Sequence, residues 1–209
     1  MTEGSCQAQL EKARAFSAAT LIEANSGAGA MAMAIKPLAP AMRVCGFATT
    51  VHCPPGDNLT LHQAIYACSP GAVLVVEVSG HFEAGYWGSL MTQAALARRL
   101  GGLVIDGCVR DSDEIRASGF PVFARGVSIR GTAKQGGGTV NQPIVAGGVW
   151  VAPGELVVGD ADGVVVVPQR ALASVLEAAR QRVEREAQVC KQLAAGATTL
   201  ELFGWCDKR

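Results

Sequence analysis

The chain has 209 residues, of which 49% are hydrophobic and 17% charged, and its 18 basic and 18 acidic side chains cancel. That length fills one core, and the neutral balance offers neither the basic patch that nucleic acid requires nor the basic amphipathic helix that a membrane surface requires. So few charges also make a slightly apolar surface, which favours an oligomer over a lone monomer.

Residues 7–24 return apolar side chains every three or four positions among Ala, Leu, Glu, Lys and Arg, which predicts a helix; Gly27 and Gly29 break it. Residues 43–51 suit a strand, 54–58 a turn, and Asn58 or Thr60 would cap a short helix through Ala67. The apolar run 71–78 predicts a buried strand, and 80–88 a loop. A helix is expected over 89–100, ended by Gly101 and Gly102, then a strand over 103–106 and a short helix over 111–117. Beyond Pro121 the pattern changes to short strands at 121–124, 127–130, 148–151, 156–158 and 164–167, then one long charged helix over 169–194. Interleaved helices and strands followed by more strands predict a single α/β domain over 1–196, with a layered sheet core and helices outside. Residues 197–209 read as a C-terminal tail whose Leu202, Phe203 and Trp205 point to docking.

The start of the chain carries no basic stretch before an apolar run, so no secretory leader is expected. No uncharged apolar stretch reaches the roughly 18 residues that span a bilayer. The seven cysteines are scattered without a Cys-x-x-Cys pair, which argues against a zinc site or a disulfide framework. Reduced thiols in a cytoplasm are expected.

One constellation carries chemistry. Residues 85–88 hold two glycines before a helix N-terminus, where free backbone N–H groups suit a carboxylate. The buried strand then ends at Asp106-Gly107 and presents Arg110 and Asp111 on the following loop, where α/β sheets commonly bind ligands. Arg110 offers a planar fork of donors to a carboxylate or a developing enolate oxygen. Asp111 offers a hard oxygen suited to Mg²⁺ or Mn²⁺. On spacing alone, a surface pair capping the next helix is the favoured reading of Arg110 and Asp111.

This stretch resembles the family of the metal-dependent 4-hydroxy-4-methyl-2-oxoglutarate aldolases, which also holds the regulator of ribonuclease activity A. Its pattern is Gly-x-x-x-Asp, twenty residues, then Arg-Asp. Here Gly85 is the first glycine, twenty residues separate Ser89 from Arg110, and Asp111 follows. The likeness extends through Thr20-Leu21-Ile22-Glu23, Lys36-Pro37-Leu38, Asp57-Asn58, Phe120-Pro121-Val122-Phe123, Arg130-Gly131-Thr132 and Asp160-Ala161-Asp162-Gly163, or about residues 19–195. It implies the layered αββα sandwich of the RraA-like, swivelling-domain-like type, assembled as a trimer or a pair of trimers. It also implies that Gly88, Ser89, Leu90 and Met91 hold substrate through backbone donors. Arg110 would bind the pyruvate part and stabilise its enolate, and Asp111 would bind Mg²⁺ or Mn²⁺. The substrate would be a small oxo or hydroxy di- or tricarboxylic acid, cleaved to pyruvate, with oxaloacetate decarboxylated through the same enolate.

Ser89 departs from this pattern, because the aldolases carry an acid there. Serine can cap a helix and bond a water, but it is no carboxylate base near neutral pH. General acid–base help is worth about 10²–10⁴-fold, so weak or altered turnover is expected. Glu83 is the nearby candidate replacement. The family completes its site with a neighbouring subunit's glutamate, for which Glu184 and Glu186 are candidates; both also suit i,i+4 pairs with Arg180 and Arg182. His52, His62 and His81 read as structural, with His81 the one to consider as a proton donor. Lys134 with Gly136, Gly137 and Gly138 reads as a flap over a distal carboxylate or as a plain hairpin, and 160–163 as a turn. Three functions stay open: an enolate-forming lyase, another metal-dependent reaction on a small acid with Ser89 as a contact, and a non-catalytic binding protein.

Overall fold

The computed structural model describes residues 3–205. Helices α1 (Glu3–Ala13) and α2 (Ala18–Ala24) replace the one helix expected over 7–24. The break is Ser17, whose extended backbone leaves the helix and whose Oγ caps the next one by accepting from Thr20 N at 3.0 Å. Strands β1 (Lys36–Pro37) and β2 (Val44–His52), helix α3 (Leu59–Ala67) and strand β3 (Val73–Glu77) follow. Residues 85–87, expected as loop, are strand β4 (Gly85–Trp87). Then come helix α4 (Ser89–Ala97), strand β5 (Gly102–Val109), helix α5 (Ser112–Ser118) and strand β6 (Val122–Val127). Strand β6 joins the first expected strand beyond Pro121 to the start of the second.

The carboxyl half holds β7 (Thr139–Val140), β8 (Ile144–Ala146), β9 (Val149–Val151), β10 (Leu156–Gly159) and β11 (Val164–Val167). A 3₁₀ turn opens helix α6 (Leu172–Ala194). Helix α7 (Thr199–Leu202) lies inside the stretch expected as a tail, fixed by a Thr198–Glu201 capping box. Cys206 and the rest of that tail fall outside the described residues.

Nine strands form one nearly closed sheet in the order β1-β6-β5-β3-β2-β10-β11, with β4 on β5 and β7 on β2. Strands β2, β3, β5 and β6 run parallel, as their apolar runs and intervening helices require. One core packs inside the curled sheet and under α3, α4 and α5, with Val75, Val104, Ile105 and Phe123 fully or almost fully buried. A second lies between β10, β11 and helices α1, α2 and α6. Each fully buried Val, Leu, Ile or Phe contributes about 1.5–3 kcal/mol. The layered α/β class is therefore as expected. Among the described residues no helix is long and apolar enough to cross a membrane.

The detail that positions the site is on one edge of β5. Strand β3 pairs with it from Gly102 to Asp106, and β4 takes over at Cys108 and Val109, with a register shift between those two pairs. That handover lies at the carboxyl ends of the parallel strands β3 and β5.

Candidate active site

Strand β4 is held in place before any site residue is reached. Trp87 stacks on Phe120 with centroids 6.0 Å apart, and its Nε1 donates to Thr92 Oγ1 at 2.7 Å. The Trp87 carbonyl accepts Arg110 N at 2.8 Å, which ties β4 to the residue that follows β5. The glycines are needed for closeness. A Cβ on Gly85 would lie 2.6 Å from Ser128 O, and one on Gly88 2.5 Å from Asp111 Oδ2.

Asp111 sits in the left-handed region (φ 56°, ψ 44°), which Asp and Asn enter more readily than other side chains. It precedes α5 without capping it; its carboxylate turns instead to the N-terminus of α4. There Oδ2 accepts Ser89 N at 2.9 Å and Ser89 Oγ at 3.1 Å, with Arg110 Nε 3.9 Å away. The helix-capping pair read from spacing alone is thus replaced by a bridge between two elements. Ser89 spends both of its donors on Asp111, so the backbone donors at this helix start that remain for a ligand are Leu90 and Met91, whose N–H groups have no carbonyl within the helix.

These residues line a pocket of about 240 Å³. Gly88, Ser89, Leu90, Met91, Arg110 and Asp111 all line it, joined by Asn58, His62, Thr132 and Lys134. Sequence reasoning set His62 aside as structural, although the turn between Asn58 and His62 at the start of α3 was the available signal. Burial, and then the charge of Lys134, push the His62 imidazole below its ordinary value, so it is neutral near pH 7. Burial raises the Tyr86 phenol, whose oxygen accepts Gly56 N at 2.6 Å and lies 3.0 Å from His81 Nδ1. Asn58 Nδ2 donates to Tyr86 O at 2.6 Å, and its buried Oδ1 has no partner among the described residues. Two cationic side chains, Arg110 and Lys134, thus line the pocket with one carboxylate, Asp111. That balance suits an anionic ligand. No described cysteine lines this pocket, and burial pushes the Cys53 and Cys45 thiols up to about 12 and about 11.

Other candidates lie elsewhere. Glu83 is mostly exposed, 3.9 Å from Arg130, and does not line the pocket. Glu184 and Glu186 stand on the exposed half of α6, paired with Arg180 and Arg182, so within one chain they do not reach it. Lys134 does line it, but its strap is pinned rather than loose, with Ala133 N donating to Gly56 O at 2.7 Å. Among the described residues no three His, Cys, Asp or Glu side chains gather as a metal cluster. What is present fits a hard divalent ion in the manner of Mg²⁺, with one carboxylate and mostly waters, because Asp111 keeps Oδ1 beyond the bonds that Oδ2 takes.

The family model for RraA-like proteins (Aldolase/RraA) matches residues 18–166. A protein of Halalkalibacterium halodurans named "Putative 4-hydroxy-4-methyl-2-oxoglutarate aldolase" is 39% identical over 77% of this chain and 76% of its own. The crystal structure of an uncharacterized protein from Pseudomonas syringae pv. tomato superposes with a TM-score of 0.82 at 31% identity, covering 92% of this chain and 94% of that one. The RNA-processing inhibitor RraA from Thermus thermophilis matches with a TM-score of 0.68 at 26% identity, over 73% and 93%.

Proposed function

The chain belongs to the RraA-like family, and we propose that it is a divalent-metal-dependent lyase that forms a pyruvate enolate from a small oxo acid, with oxaloacetate decarboxylation favoured over aldol cleavage. The observation that carries this reading is the union of Arg110, Asp111 and the amide-bearing start of α4 in one pocket at the carboxyl end of β5.

The N–H groups of Leu90 and Met91 take the substrate's carboxylate, with the helix dipole behind them. Arg110 aims its fork at the oxo oxygen, where negative charge develops as the carbon–carbon bond breaks. Asp111, held by Ser89, is the residue that would hold Mg²⁺ or Mn²⁺, which supplies Lewis acidity to the substrate's oxygens. Ser89 explains the preference between reactions. Decarboxylation breaks its bond with no prior proton removal: carbon dioxide leaves, and the electron pair passes to the oxo oxygen. Aldol cleavage must first take a proton from a hydroxyl, and Ser89 Oγ, already donating to Asp111, is no base for it. Lys134 gives the pocket a second cation for a diacid.

The test is pyruvate release from oxaloacetate and from 4-hydroxy-4-methyl-2-oxoglutarate, with Mn²⁺ or Mg²⁺ and with chelator. Chelator-sensitive release is expected, faster from oxaloacetate, and kcat/KM should fall about 10³-fold in Arg110→Ala, the scale of losing a transition-state donor. Release no greater than from the metal alone would overturn the reading. A second reading, a binding protein acting through protein contacts, draws support from Ser89 and from the 83% exposed Leu90 at the pocket's edge. That protein need not bind Mn²⁺ at Asp111, so a metal titration separates the two.

A further inference from the structure

One wall of the pocket is the strap of residues 132–138, which carries Thr132 and Lys134. It is held by a carboxylate outside the pocket. Asp57 is 5% exposed. Its Oδ1 accepts Leu59 N at 2.9 Å, closing a turn at the head of α3, and Gly136 N at 3.1 Å. Its Oδ2 accepts Gln135 N. Neighbouring bonds follow the same seam: Asn58 N donates to Ala133 O at 3.2 Å, and Gly138 N to Thr60 Oγ1 at 3.1 Å. Leu59 N alone would satisfy a helix-entry turn. The other two donors come from the strap, from the two residues that directly follow Lys134.

Burial alone would raise the Asp57 carboxyl. The donations from Gln135, Leu59 and Gly136 and the nearby Lys134 charge outweigh it and hold the group below its usual range. The Lys134 ammonium donates within its own strap, to Thr132 O and Oγ1 at 3.2 Å each, and makes no salt bridge to a described acid. Its position therefore follows the strap's position, which the bonds of Ala133 to Gly56 and Asn58 fix on one side of Lys134 and those of Gln135 and Gly136 to Asp57 on the other.

We propose that Asp57 is a positioning residue: it clasps the strap to the head of α3, sets the distance of Lys134 from Arg110, and so governs how the pocket receives the end of an acid remote from Arg110. The part concerning the acid rests on the enolate-pocket reading. The clasp itself does not.

Asp57→Asn keeps the size but loses the charge and turns an amide towards N–H donors. Two readouts are needed. Amide hydrogen exchange at Gln135 and Gly136 should quicken about tenfold or more, the scale of losing a bond to a charged acceptor. Calorimetric affinity for 2-oxoglutarate, with Mg²⁺ present, should fall about tenfold while that for oxalate, which fills only the Arg110 end, stays within about twofold. Unchanged exchange, or equal weakening of both acids, would overturn the proposal. If Asp57→Asn does not fold, Gly136→Ala replaces it. That change strains the strap's left-handed turn (φ 87°) and meets only Leu59 Cδ2 at 3.5 Å, so the same asymmetry is expected. If the wild type binds neither acid, the enolate-pocket reading fails, and with it the role for remote acids; exchange still decides the clasp.

Discussion

Asp111 and Glu186 are both exposed in part, both beside an arginine, and both implied by the family resemblance as site acids, yet the chain holds them very differently. Asp111 has its backbone fixed in the left-handed region between β5 and α5 and its carboxylate bound to another helix's first residue. Glu186 stands beyond the last buried residue of α6, Ala179, and is held by Arg182 alone, at 2.8 Å. Exposed pairs of that kind contribute a few tenths of a kcal/mol. The carboxylate of Asp111 is fixed at one point because it is built into a junction of elements. That of Glu186, on a solvated helix face, has no such fixed position within the chain.

The largest expected effect comes from forcing the junction apart. Gly88→Ala puts a methyl 2.5 Å from Asp111 Oδ2. We expect Mn²⁺ affinity at the pocket to fall at least tenfold, with about 1–3 kcal/mol lost in urea unfolding, the usual cost of overpacking. Unchanged metal affinity would mean that Asp111 is not held as described. Ser89→Asp is next. It replaces a donor by a second carboxylate, so aldol cleavage should rise about tenfold or more relative to oxaloacetate decarboxylation, within the range of acid–base help. An unchanged ratio would show that Ser89 does not set the preference. The smallest effect belongs to Glu186→Gln with Glu184→Gln. Stability should change by less than about 0.5 kcal/mol. A fall in pyruvate release with stability intact would place a neighbouring subunit's helix at the pocket and sharpen the contrast into a difference between subunits.

Much of this was legible in the residues because the signals are local. The runs in β3 and β11 are unbroken and apolar, and α6 has charges spaced at four, so their type and place follow from period. Ser17 was missed because a serine cap inside a helical pattern looks like any other polar residue until its backbone is seen to be extended. Strand β4 was read as a loop because a three-residue strand with glycine has no period; only its pairing with the end of β5 makes it a strand. Arg110 and Asp111 could be singled out from sequence, but His62, which lines the pocket, and Asp57, which lies outside it, could not be assigned roles. Their roles depend on a strap some 75 residues away in the chain, and contacts at that separation leave no spacing to read.

The left-handed backbone at Asp111 also narrows what drift can do there. Glutamate carries the same charge but is much less at ease at φ 56°, whereas asparagine settles there readily. The easy exchange at this position is thus between a charged and an uncharged side chain of one shape. A lineage with this fold can lose the negative charge at this position in a single step and keep its architecture.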